Sequence, residues 1–289
     1  MLRSSPVDGF SLVYERFGAG PAVLLLHGWP GDRSDYRALA PLLSDERQVV
    51  VPDLRGFGES DKHAVGPREG YSAAAQARSL LGLLDELELR RVVIVGYDIG
   101  SRIAQTLARS APDRVSALVI APPLPGAGER VLTADAQREF WYQAFHQLEL
   151  AECLLDGNPA GVRAYLQYFW NHWSGPALEL EAADLDRLVD RYSRPGAFTA
   201  SIGWYRAGSG TIARSLTETA PQPEDRIAQP TAVLWPEHDP LFPPAWADRL
   251  DEFFSDVLVT RLPDSGHFSP LEAPEAFATA IRQTLSSAG

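Results

Sequence analysis

Apolar residues gather in short β-branched or Leu-rich runs along the first 120 positions, and each run is bounded by turn residues. The runs are SLVYERF (11–17), AVLLL (22–26), QVVV (48–51), RVVIV (91–95) and RVSALVI (114–120). Continuous apolar runs of this length suit strands covered on both faces of a parallel sheet. Between them lie helix-length stretches at 32–43, 72–87 and 99–110. In the second, Leu80, Leu83, Leu84 and Leu87 recur at helical spacing with acidic residues in the gaps. Strand and helix in alternation predict βαβ units around a mostly parallel sheet flanked by helices.

The alternation stops at APPLPGAG (121–128), a Pro/Gly punctuation that neither strand nor helix carries. From 129 to 215 the pattern is helical and aromatic: 13 of the chain's 28 aromatic residues fall there. After PQPEDRIAQP (221–230) strand-like runs return as TAVLW (231–235) and VLVTRL (257–262), with a terminal helix expected at 272–286. The economical reading is one α/β domain, 1–123 plus 216–289, interrupted by an all-helical insertion at 124–215. No repeat or low-complexity tract is present.

Charge narrows the possible partners. Across 289 residues, 26 Lys and Arg stand against 38 Asp and Glu, a net charge of −12. Nucleic acid and anionic membranes recruit basic surface, so neither is expected as a partner. The single cysteine, Cys153, excludes an intrachain disulfide and fits a reducing compartment. With no apolar leader and no run of about 18 apolar residues, a soluble, cytoplasmic protein is expected. Nothing in the pattern sets an oligomeric state.

The sharpest local feature is VVIVGYDIGSRIA (92–104). A buried strand runs into Gly96-Tyr97-Asp98-Ile99-Gly100-Ser101, and an amphipathic helix begins at once. Small residues two places either side of a central residue permit a sharp strand-to-helix turn that throws the central side chain outward. Helix N-terminal N–H groups then face that side chain. The arrangement resembles the nucleophile elbow of α/β hydrolases, with aspartate where serine is usual. The plain alternative is that Asp98 only caps the helix.

Three further features stand at strand ends. His27-Gly28-Trp29-Pro30-Gly31 follows AVLLL, and its turn can aim the Trp29 N–H at a developing oxyanion, with the Ile99 N–H as second donor. Asp239, in WPEHDPLFPP, follows TAVLW; His267, in LPDSGHFSP, follows the last strand. The order nucleophile, acid, histidine is the one this fold requires. Each has a bland reading (an ordinary turn, a helix cap, a solvated loop histidine), but together they favour a triad. Glu237 is a weaker candidate for the acid, His238 reads as solvated, and His27 as a residue that holds its turn. No metal-ligand spacing or phosphate loop occurs, so neither metal nor cofactor is expected.

Aspartate as nucleophile changes the chemistry. Already ionised, it attacks sp³ carbon better than carbonyls, forming an alkyl ester of its own side chain. Histidine, oriented by Asp239, then activates the water that cleaves this ester. The leaving group is accordingly an epoxide oxygen or a halide. An epoxide oxygen needs an acid, and a neutral phenol can serve. Tyr142 and Tyr205 have the right character, as do Tyr165, Tyr168 and Tyr192 by composition alone.

HGWPG, VPDLRGFGES, GYDIG, WYQAFHQLELAE, GWYRA, WPEHDP and DSGHF together resemble the soluble bacterial epoxide hydrolases of the α/β-hydrolase superfamily. The resemblance runs from about residue 10 to 285 and implies an α/β-hydrolase fold with a helical cap. It implies the nucleophile, acid and base at Asp98, Asp239 and His267, and the two ring-opening acids at Tyr142 and Tyr205. It also puts Trp29 at the oxyanion turn, with a small, mostly apolar epoxide and water as substrates. Trp29, Pro30, Ile99, Trp141, Phe145 and Phe268 are the expected pocket residues.

Two positions depart from the pattern: Gly203 where relatives often carry Asn, and Ile99 where many carry Trp or Phe. Haloalkane and haloacetate dehalogenases share the fold. The former typically carry Trp after the nucleophile, and the latter Arg one and four places after it. Here Ile99 misses both patterns and only Arg102 matches the second. A non-enzymatic binding protein is the remaining alternative, and retention of all three triad residues argues against it.

Overall fold

The apolar runs form the centre of an eight-stranded sheet. The computed structural model describes residues 1–176, 178 and 181–286. Its strands are β1 (Leu2–Arg3), β2 (Val13–Phe17), β3 (Ala22–Leu26), β4 (Gln48–Pro52), β5 (Val92–Gly96), β6 (Val115–Ile120), β7 (Thr231–Pro236) and β8 (Val257–Leu262). They lie in the order β1-β2-β4-β3-β5-β6-β7-β8. Only the β1–β2 and β2–β4 pairs are antiparallel. Every residue of β3, β4, β5 and β7 is buried, as two-sided coverage demands. β8 differs: it is an edge strand, and its apolar Leu258 is 64% exposed. β1, two exposed residues, carries no apolar signal from which it could have been read.

Strand β3 pairs with β4 on one side and β5 on the other. The winding of the sheet therefore reverses beside β3, and the carboxyl ends of β3 and β5 flank the crevice where open α/β sheets hold ligands. The turn bearing Trp29 leaves β3 and the turn bearing Asp98 leaves β5, so topology alone places these two side by side.

The helix expected at 72–87 forms as Ala73–Glu86, with the Ser72 hydroxyl accepting the Ala75 N–H at 3.3 Å. The helix at 99–110 forms as Ile99–Ser110. The stretch 32–43 is not one helix but a 3-10 turn, Arg33–Tyr36, and a short helix, Leu39–Leu43. Asp32 caps the turn, and the buried Arg33 side chain is held by the Asp53 carboxylate beneath it. That anchor fixes a tighter path than an amphipathic helix would follow.

Between β6 and β7 no described residue lies in a strand. Helices Ala134–Glu139, Trp141–Phe145, Glu149–Leu155, Pro159–Trp173, Ala182–Tyr192, Ala197–Arg206 and Thr211–Thr217 fill the interval. Their aromatic faces join the sheet's core in one continuous apolar cluster. Tyr192 ties the two parts directly, its hydroxyl donating to the Gly31 carbonyl at 2.9 Å. Among the described residues no helix is long and apolar enough to cross a membrane.

Candidate active site

Strand β5 ends at Gly96, and two residues later Asp98 adopts φ +47°, ψ −123°, a conformation strained for any side chain. The two flanking glycines make the turn possible. A Cβ on Gly100 would collide with the Leu26 carbonyl, and one on Gly96 with the Gly100 carbonyl. Asp98 does not cap its helix: the carboxylate makes no capping hydrogen bond. Instead Oδ2 accepts the Trp29 N–H at 2.7 Å, and the Ile99 N–H is near enough to favour the ionised carboxylate. Burial pushes the Asp98 carboxyl above its ordinary range, against the pull of His267 and these two N–H groups.

Asp239 leaves β7 and His267 leaves β8, and the two meet. His267 Nδ1 lies 2.9 Å from Asp239 Oδ2, while Asp239 Oδ1 accepts the Leu241 N–H at 2.9 Å. With a carboxylate at Nδ1, the proton belongs there and Nε2 is left basic. Nε2 lies 4.0 Å from Asp98 Oδ1 and has no hydrogen-bond partner among the described residues. Burial alone would lower the His267 pKa; the negative charges of Asp239 and Asp98 outweigh it and hold the group above its usual value.

The helical segment closes the site from above. Tyr142 and Tyr205 are both buried, with ring centroids 5.6 Å apart and nearly perpendicular. Tyr142 stacks parallel on Trp29 at 5.6 Å. The two hydroxyls lie close enough to influence each other's ionisation, and Gln143 Nε2 donates to the Tyr142 oxygen at 3.1 Å. Burial raises both phenols well above their usual value, and the Asp98 charge raises them further. Both are therefore neutral donors at pH 7.

The other sequence candidates are placed less uniformly. Pro30 and Ile99 are buried beside Asp98's turn. Phe268 stacks on Trp170 at 3.7 Å and meets the His267 ring edge-on at 5.5 Å. Trp141, by contrast, is 39% exposed and stacks on Phe169, with Phe145 beside it. Its neighbour Tyr142 takes the inward face, so Trp141 and Phe145 lie on the outer side of the aromatic layer. Glu237 is exposed and faces Arg261 at 3.5 Å, and His238 is exposed. His27 is buried; its Nε2 accepts the Leu54 N–H at 3.0 Å, which holds the turn.

Several residues around the site had escaped the sequence reading. Trp173 packs edge-on against His267 at 4.9 Å, and its carbonyl accepts the His267 N–H at 2.7 Å. Phe169 lies one turn earlier on the same helix and meets Trp29 at 5.0 Å. That spacing was legible as an apolar stripe but not as a site. His146 is buried against Trp29, Tyr142 and Tyr205, and burial drives its pKa far down. Glu272 accepts the N–H groups of Gly175, Gly266 and Phe268, fastening the His267 loop to the helical segment. Among the described residues no group of three or more His, Cys, Asp or Glu could hold a metal ion.

The chain has known relatives. A family model described as the alpha/beta hydrolase fold matches residues 21–274. The soluble epoxide hydrolase of Corynebacterium sp. (strain C12) is 27% identical over 281 residues, 93% of this chain and 91% of that protein. The fluoroacetate dehalogenase of Burkholderia sp. is 29% identical over 284 residues, 94% of this chain and 89% of that protein. A solved structure reported among novel epoxide hydrolases from hot-environment metagenomes is 27% identical with a TM-score of 0.82, covering 98% of this chain and 97% of that one. This chain, an enzyme by that kinship, belongs to the α/β hydrolase fold family.

Proposed function

We propose that the protein hydrolyses epoxides to vicinal diols through a covalent ester on Asp98. The observation that carries this reading is the pair of buried phenols, Tyr142 and Tyr205, packed edge-on at 5.6 Å, with Tyr142 stacked on the Trp29 whose N–H holds Asp98. In this reading the helical segment 124–215 is a cap over a core of 1–123 and 216–289.

Oδ2 of Asp98 is occupied by the Trp29 N–H, so Oδ1 is the attacking atom. It forms a bond to an epoxide carbon, the C–O bond of the ring breaks, and the ring oxygen takes a proton from the tyrosine pair. His267 Nε2 then removes a proton from water, which adds to the ester carbonyl. Charge develops on Oδ2, where the Trp29 and Ile99 N–H groups already point. Collapse releases the diol and restores the carboxylate, and the His267 proton returns to the tyrosine pair.

A dehalogenase is the second reading, favoured by the likeness to the fluoroacetate enzyme. The partners of Arg102 weigh against it. Its guanidinium donates to Glu218 at 3.3 Å and to the Leu124 carbonyl at 3.2 Å, and Asp98 is not among them. A panel of styrene oxide, phenyl glycidyl ether, fluoroacetate and a chloroalkane separates the two. Diol without halide supports the proposal; halide release without diol overturns it.

A further inference from the structure

A second cavity, of about 300 Å³, opens at the seam between the helix Ile99–Ser110 and the segment 204–218. Arg102, Gln105, Arg109, Trp204, Arg214 and Glu218 line it, and Asp98 does not. Its charge is unbalanced: three guanidiniums face one carboxylate, in a chain whose net charge is −12. Neither Arg109 nor Arg214 forms an ion pair within 4 Å among the described residues, although both repel Arg102.

Arg102 is 6% exposed. It spends two donors on Glu218 and the Leu124 carbonyl, while its Nε has no hydrogen-bond partner among the described residues. Like charges gathered around a buried, incompletely bonded guanidinium are costly unless an anion joins them. Arginine is also the side chain whose planar fork best matches phosphate oxygens.

We propose that this seam cavity is a binding site for a dianionic phosphate group, free or as a phosphate monoester, held by Arg102, Arg109 and Arg214. The bound group bridges the helix that begins at Asp98 and the segment that follows Tyr205. It joins core and helical insertion at a second place, apart from the catalytic crevice.

Isothermal titration with inorganic phosphate, with phenyl phosphate, and with sodium chloride at matched ionic strength tests the site without reference to turnover. Phosphate or phenyl phosphate is expected to bind, and the tighter of the two identifies the source of the group. Arg109→Gln and Arg214→Gln, both at exposed positions, should each weaken binding about tenfold, one charge-assisted pair's share. If chloride produces the same heat, or the double variant binds phosphate as tightly as the parent, the site does not exist. Thermal unfolding of both variants checks that weakened binding is not lost fold. Because the readout is binding, its failure would leave the epoxide reading untouched, and the reverse holds too.

Discussion

His267 stands between two carboxylates at unequal distances, Nδ1 2.9 Å from Asp239 Oδ2 and Nε2 4.0 Å from Asp98 Oδ1. The first distance is a hydrogen bond and the second is not. Asp239 therefore fixes the ring and its tautomer, and Nε2 remains a base that does not claim the nucleophile. In the proposed reaction Asp98 attacks without losing a proton, so this asymmetry suits a histidine that acts only in the second step.

Removing that base should strand the reaction halfway. His267→Gln is expected to lower turnover by about 10²–10⁴-fold while leaving ester formation intact. Intact-protein mass spectrometry after mixing with styrene oxide should show one added substrate mass, located on the peptide bearing Asp98. In labelled water a single wild-type turnover should place label in the Asp98 carboxylate before the diol. Label entering only the diol would mean direct hydration and end the covalent scheme.

In the proposed reaction the two tyrosines divide the acid function. Tyr142 receives a hydrogen bond from Gln143, and its ring packs edge-on against Tyr205 at 5.6 Å, so each phenol helps position the other. Tyr142→Phe or Tyr205→Phe should slow alkylation about ten- to a hundredfold, and the double change by about 10⁴-fold. Stopped-flow quenching of tryptophan fluorescence on ester formation gives the rate. A double variant that alkylates at the parent rate would remove both residues from the mechanism.

Charge on His267 sets the acid limb. In the proposed reaction the neutral ring is the base, and in the free enzyme Asp239 and Asp98 hold its pKa above the ordinary 6.5 despite burial. In the ester Asp98 carries no charge and Asp239 alone supports the base, so ester hydrolysis should rise with pH through a midpoint below that of the free enzyme. Asp239→Asn removes the larger of the raising charges, so the residual activity should titrate at a lower pH than the parent. No fall is expected by pH 9, because burial keeps both phenols neutral there. Single-turnover decay of the ester across the pH range measures the midpoint, and an unmoved midpoint in Asp239→Asn contradicts the argument.

What the sequence disclosed follows from how locally each feature is encoded. Buried strands announce themselves as apolar runs, so β3 to β7 were legible. The 32–43 stretch was misread because Arg33 is anchored by Asp53, a contact between distant positions. Asp98, Trp29, Asp239 and His267 each sit in a turn whose glycines, prolines and preceding strand mark it out. Trp173 and Glu272 carry no such mark: one reads as a helix-face aromatic, the other as an acidic residue in a helix's first turn. Their relation to His267 exists only after the helical segment folds onto the loop. Trp141 shows the reverse error, since a motif names neighbours alike while the helix sends Tyr142 inward and Trp141 out.

Glu272 offers the sharpest test of that long-range design. One of its carboxylate oxygens accepts both Gly175 and Gly266 N–H groups, at 2.8 and 2.6 Å, and the other accepts Phe268 at 3.0 Å. Gly266 and Phe268 flank His267, so the carboxylate holds the base's loop from both sides while tying it to the end of the helix Pro159–Trp173. Burial raises its pKa, but the three N–H groups work against that rise and favour the ionised form. Glu272→Ala leaves three backbone donors without this acceptor, at a cost of about 1–3 kcal/mol. Its denaturant midpoint should fall accordingly. Turnover should fall further than stability explains, because a loosened loop misplaces His267 Nε2, and ester should accumulate as in His267→Gln. Glu272→Gln keeps an acceptor oxygen and should recover part of both losses. An alanine variant with the parent's midpoint and no ester build-up would show that the loop is held by packing on Trp170 and Trp173 alone.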